Sequence, residues 1–216
     1  MRQIIILLMS IFLFGCSNEK EDIINTFNEF NTANIELDGE KIYNLSDIKS
    51  RNYYKNFLSK ILKLDSVGIT QLQLSEKINL LSTRAIIEDS VLKTLSPKDL
   101  MIKIFTEIST MDTEQIRAIK TTGITNIKIN NQNATGDFTI DGKTLSPNVT
   151  LKFVKDNGDW KFNVLSMSDY TERQLNAICQ QNGFKHIDLI EWLFEATNFE
   201  NKKIKELEDI WHPVVK

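Results

Sequence analysis

Apolar positions recur with three different periods along this chain. Residues Ile4 to Phe14 form an apolar run of eleven residues, Ser10 included, behind Arg2. Such a run is too short to cross a bilayer core of roughly 30 Å as a helix, and it has the length and the basic flank of a secretory leader. The pattern then turns helical. Ile23, Ile24, Phe27 and Phe30 predict an amphipathic helix from about Glu21 to Leu37, stopped by Asp38-Gly39. Ser46 or Asp47 can cap a second helix with the stripe Tyr53, Tyr54, Phe57, Leu58, Ile61 and Leu62. Ser75 opens a third, with Glu76 in its first turn and Ile78, Leu81 and Ala85 on its apolar side. Ser96-Pro97-Lys98-Asp99 is a strong helix start: a hydroxyl at the cap, proline at the first position and an acid at the third all suit the free amides there.

Beyond residue 120 the period shortens to two. Ile124 to Ile129 is rich in β-branched residues, Asn130 to Asn133 makes a turn, and Ala134 to Ile140 returns. Asp141-Gly142 marks another turn. Val149, Leu151 and Phe153 alternate with polar residues, and after Asp156-Asn157-Gly158-Asp159 the alternation resumes at Trp160, Phe162 and Val164. This is the pattern of an antiparallel meander with one buried face. Helix then returns: a cap at Thr171 to Gln174, a stop at Gly183, a stretch through Ile187, Ile190, Trp192, Leu193 and Phe194, and a last one through Ile204, Leu207, Ile210 and Trp211 to Pro213. Helices followed by a meander predict an α+β fold with segregated elements.

The leader ends in Leu13-Phe14-Gly15-Cys16, which resembles the lipobox of bacterial lipoprotein precursors. The resemblance implies cleavage before Cys16, whose thiol and new amino group would carry palmitate-type acyl chains and anchor the protein in the cell membrane. Residues 1–15 are then the signal peptide and 16–22 a polar tether. Ser17 follows the cysteine where an aspartate would favour retention at the inner membrane, so the expectation is the outer membrane, facing the periplasm. Acylation would also leave Cys179 without an intramolecular partner. Its neighbours Leu175, Ile178 and Asn182 read as one helix face, which predicts a buried, inert thiol.

A second resemblance covers residues 21–168. The stretch Val149-Thr150-Leu151-Lys152-Phe153-Val154-Lys155-Asp156-Asn157-Gly158-Asp159-Trp160-Lys161-Phe162 and the Asp38-Gly39-Glu40 turn after the first helix are similar to those of NTF2-like (cystatin-like) domains. These are α+β cones in which a curved sheet wraps N-terminal helices. Residues 169–216 would be a C-terminal helical extension packed on that unit, being too short for a core of their own. The family includes isomerases and dehydratases as well as binding and dimerising members, so the resemblance does not choose a function.

Composition narrows the choice. A formal net charge of −3 with no clustered lysines and arginines gives no case for nucleic acid. The chain carries two histidines, His186 and His212, both outside the predicted meander, and neither has a partner at ligand-like spacing. No metal, no cofactor and no catalytic residue is therefore assigned. Asp137 shares a strand face with Thr135 and Thr139, most simply a solvent face; turned into a cone it could act as a base. With Tyr53, Tyr54 and Trp160 it makes up the candidate pocket. Trp192, Phe194, Phe199 and Trp211 make up the candidate contact surface, with packing of the C-terminal helices as the simpler explanation. The expectation is a lipid-anchored, non-enzymatic binding or assembly module that meets an envelope protein or a small apolar ligand. The alternative is a small hydrolyase or isomerase using a pocket Asp or Tyr.

Overall fold

The computed structural model of the protein describes residues 19–108, 119–196 and 208–215. Its first helix, α1 (Glu19–Ile35), buries Ile23, Thr26, Phe27, Phe30 and Ala33 along one side. Asp38-Gly39 does end it, but the same dipeptide starts a further helix that the periodicity did not predict. In α2 (Gly39–Leu45) the Asp38 carboxylate accepts the Lys41 N–H at 2.9 Å. A Cβ on Gly39 would collide with the Ile102 backbone, so only glycine lets this helix start so close to its neighbour.

Of the two candidate caps for α3 (Ile48–Lys63), Asp47 fills the role and Ser46 closes α2. The Asp47 carboxylate takes the Ser50 N–H at 2.7 Å and its hydroxyl at 2.6 Å. Ser50 Oγ in turn accepts the Val164 N–H at 3.0 Å, and Asp47 N–H donates to the Phe162 carbonyl. One buried carboxylate thus starts a helix and fastens it to the end of the sheet. Two short helices, α4 (Ser66–Thr70) and α6 (Asp89–Leu92), flank α5 (Leu74–Ile86). The Ser96 capping box forms as its sequence predicts and opens α7 (Pro97–Lys103), which runs into a π-helical turn, Ile104–Ile108.

The sheet contains β1 (Thr122–Asn130), β2 (Asn133–Ile140), a two-residue β3 (Lys143–Thr144), β4 (Thr150–Asp156) and β5 (Asp159–Phe162). It is antiparallel and open, in the order β1-β2-β4-β5, with β3 paired to β2. Phe153 stands opposite Phe162 across β4 and β5. Alternation puts Ala134, Phe138, Leu151, Phe153, Trp160 and Phe162 on the buried face. Helix α1 lies on that face, with Phe27 edge-on to Phe138 and to Phe162 at 6.3 and 5.8 Å. Val164 departs from the predicted strand: pairing ends at Phe162, and Val164–Met167 forms a 3₁₀ turn. A register shift between Thr125 and Lys128 makes a bulge in β1.

The chain then re-enters the helical layer. Helix α8 (Ser168–Asn182) packs on α5 and ends at Gly183 in the left-handed conformation, and α9 (His186–Ala196) follows. Residues Thr171 to Gln174, expected to cap α8, lie inside it. Of the last predicted helix, residues 201–207 lie outside the described residues and Asp209–Trp211 is a 3₁₀ turn. The whole is an α+β structure in which helices cover one face of an antiparallel sheet. Among the described residues, no helix is long and apolar enough to cross a membrane.

Candidate functional site

Adjacent residues on a helix point about 100° apart, so Tyr53 and Tyr54 cannot both enter the core in the same way. Tyr54 is buried, while Tyr53 lies half-buried with its ring stacked on Phe57 at 5.4 Å. Both line a cleft of about 490 Å³ in the helical layer. One wall is polar, formed by Gln73, Ser75, Glu76 and Asn79 around the start of α5, with Lys60 opposite. The other is apolar: Ile104 and Phe105 from the π turn, and Leu165 and Met167 from the 3₁₀ turn.

Two ionisable groups of the cleft satisfy one another: Lys60 Nζ lies 2.7 Å from Glu76 Oε1. Burial, then the Glu76 charge, raises the Tyr53 phenol well above its ordinary range, and burial does the same for Tyr54. Both phenols are therefore protonated donors at any physiological pH. The arrangement offers hydrogen bonds and an apolar wall, and it offers no unpaired base.

The polar wall depends on a residue that helix-start rules do not find. Gln73 gives α5 no side-chain cap. Instead Glu172 reaches from α8, Oε1 accepting the Leu74 N–H at 3.0 Å and Oε2 the Ser75 N–H at 2.8 Å. Burial alone would raise the Glu172 carboxyl, but the donors from Ser75 and Leu74 and the Asn176 amide outweigh it and hold the group below its ordinary value. A cap contributed from a helix 98 residues away has no local signature.

The other candidate residues are not in this cleft. Asp137 lies on the outer face of β2, where its oxygens accept the Asn126 and Asn148 amides at 2.8 and 2.6 Å. Those bonds pull its carboxyl below the ordinary range, which is the opposite of what a base in a closed cone requires. Trp160 is buried against α1 and borders a separate groove with Asp22, Asn25, Thr26 and Glu29. The pocket proposed from sequence thus divides: the two tyrosines converge, while Asp137 and Trp160 stand elsewhere.

The candidate contact surface divides too. Trp192 is half exposed beside Phe184, with ring centroids 6.4 Å apart. Phe194 and Trp211 are partly covered and pack against the core, and Phe199 lies outside the described residues. His186 is an exposed residue at the start of α9, 3.2 Å from the Asn176 amide oxygen, and His212 is exposed in the tail. Cys179 is buried, and burial raises its thiol. Among the described residues, no three histidine, cysteine or carboxylate side chains converge as a metal site would require. Comparison with protein families, with curated proteins and with solved structures finds no match to this chain.

Proposed function

We propose that this chain is a lipid-anchored protein of the bacterial cell envelope whose body is a non-enzymatic binding module. Its anchor is an acylated Cys16, and its body is an NTF2-like α+β unit with a C-terminal helical extension. The observation that carries the binding role is the tyrosine cleft, with an apolar wall facing a wall of amides, hydroxyls and one internally neutralised ion pair. A small, largely apolar ligand with a hydrogen-bonding edge suits such a site, as does an apolar side chain of an envelope partner. Helices first, a bulged antiparallel sheet second and α1 on its apolar face support the NTF2-like reading. The Leu13 to Cys16 sequence behind an eleven-residue apolar run supports the anchor.

Two experiments test this. Wild-type protein should sediment with membranes and carry the mass of its acyl chains, and Cys16→Ser should release it in unacylated form. Unchanged fractionation and mass would sink the anchor. Capture from detergent-solubilised envelope should retain a ligand or partner that the Tyr53→Ala, Phe105→Ser double variant loses. Equal retention by that variant, with its fold intact by circular dichroism, would remove the cleft from the function.

A further inference from the structure

We infer that the protein meets its membrane with one defined end, formed by the start of α1 and the β1–β2 and β4–β5 turns, and that this end lies on the phospholipid headgroups. The inference rests on the acylated Cys16 proposed above, and the rest is chain arithmetic and contact geometry.

Two residues, Ser17 and Asn18, lie between Cys16 and Glu19, the first residue of α1. Fully extended, the three steps from Cys16 to Glu19 span at most about 11 Å. Glu19 is not the end of a loose arm. Its Oε1 lies 2.6 Å from Lys155 Nζ on β4, and one turn further on Ile23 is wholly buried. The Lys155 N–H donates to the Gln132 carbonyl at 2.8 Å, and Asn133 pairs with Val154. Both turns therefore stand beside Glu19, and an anchor at Cys16 brings all three segments to the bilayer surface together.

The chemistry of this end fits a headgroup layer rather than the hydrocarbon below it. Asn130, Asn131, Gln132, Asn133 and Asn157 are all exposed and carry amides that can donate to phosphate oxygens and accept from ammonium groups. Neither turn holds an apolar side chain that could insert. The charges nearby are Lys20, Lys155 and Lys161 against Glu19, Glu21, Asp22, Asp156 and Asp159. That excess of acid gives no attraction to anionic lipid, so the anchor supplies the affinity and the amides supply only the orientation.

The opposite end is held away. Strand β2 runs from Asn133 to Ile140, a rise of roughly 23 Å at 3.3 Å per residue, and Lys143 pairs with Ile140 at its far end. Phe105 of the tyrosine cleft packs on Phe30, eleven residues along α1 from Glu19 and roughly 16 Å away at 1.5 Å each. The cleft is thereby raised off the headgroups toward the aqueous compartment.

The test uses the full lipidated chain, purified from membranes and reconstituted into phosphatidylethanolamine–phosphatidylglycerol vesicles. In a Cys179→Ser background, Asn131→Cys, Asn157→Cys and Lys143→Cys each carry one fluorophore, and the lipid carries a headgroup quencher. Quenching several-fold stronger at 131 and 157 than at 143, and unchanged in about 0.5 M salt, is the expected result. Equal quenching at all three sites, or stronger quenching at 143, overturns the orientation. Vesicle flotation is read first: a chain that fails to float refutes the anchor itself, whereas a floating chain with uniform quenching refutes the orientation alone.

Discussion

Arg84 is the largest fully buried side chain of the described residues. Its guanidinium donates to the carbonyls of Ile61 at 2.8 Å, Leu64 at 2.7 Å and Ile210 at 3.0 Å. Burial lowers its pKa to about 10, against the pull of Asp89, so it is charged at neutral pH. The first two carbonyls belong to the last turn of α3 and its cap, where a helix has acceptors to spare and favours a cation. Arg84→Met should cost about 3 kcal/mol in urea denaturation, because several buried carbonyls lose their donor at once. Lysine should not rescue it, since a single ammonium cannot fork toward three separated acceptors. Glu172 makes a second prediction. Its folded pKa lies below the ordinary 4.5, so its stabilisation is complete at neutral pH and is lost as pH falls from about 4.5 through the folded value. Melting temperature measured between pH 6 and 3 should fall further in the wild type than in Glu172→Gln.

At the scale of elements, what was legible in the sequence was whatever local chemistry decides. The Ser96-Pro97 start, the Gly183 stop, the Asp156 to Asp159 turn and the alternation of Leu151 and Phe153 all formed where they were read. Ser96→Ala should cost about 1 kcal/mol in thermal denaturation, since it removes the hydroxyl that accepts the Asp99 N–H and donates to the Asp99 carboxylate. Two of the misses share one physical cause, which is a long-range partner. Asp38-Gly39 does stop α1, but the helix that starts there was not legible because its close approach to Ile102 is tertiary. Val164 read as strand because nothing local shows that its N–H is bound to Ser50. The candidate site followed the same rule. Tyr53 and Tyr54 were visible as neighbours on one helix that also carries Lys60, but Glu76 and Phe105 join them only through tertiary packing, and Asp137 was excluded by amides from two other segments. Gly136 is another such position. A Cβ there would overlap the Ile124 side chain across the β1–β2 pair, so Gly136→Ala should destabilise by about 1–3 kcal/mol in chemical denaturation.

For the whole molecule, the most consequential feature is the segment 208–215. Ile210 is 1 % exposed and Val214 is buried, and the Val215 N–H donates to the Leu62 carbonyl at 3.0 Å. Deleting residues 209–216 should cost about 3 kcal/mol or more by the same denaturation assay, from lost apolar burial and the opened Arg84 site. The bond from Arg84 to Ile210 joins positions 126 apart, so the interior around α3 and α5 is shared between early and late parts of the chain. A growing polypeptide emerges at roughly 5–20 residues per second, so seconds pass between the appearance of Arg84 and the arrival of its last acceptor. During that interval the guanidinium has water for a partner and the seat of Ile210 stands open. Completion of this interior thus waits on Ile210 and the residues beside it.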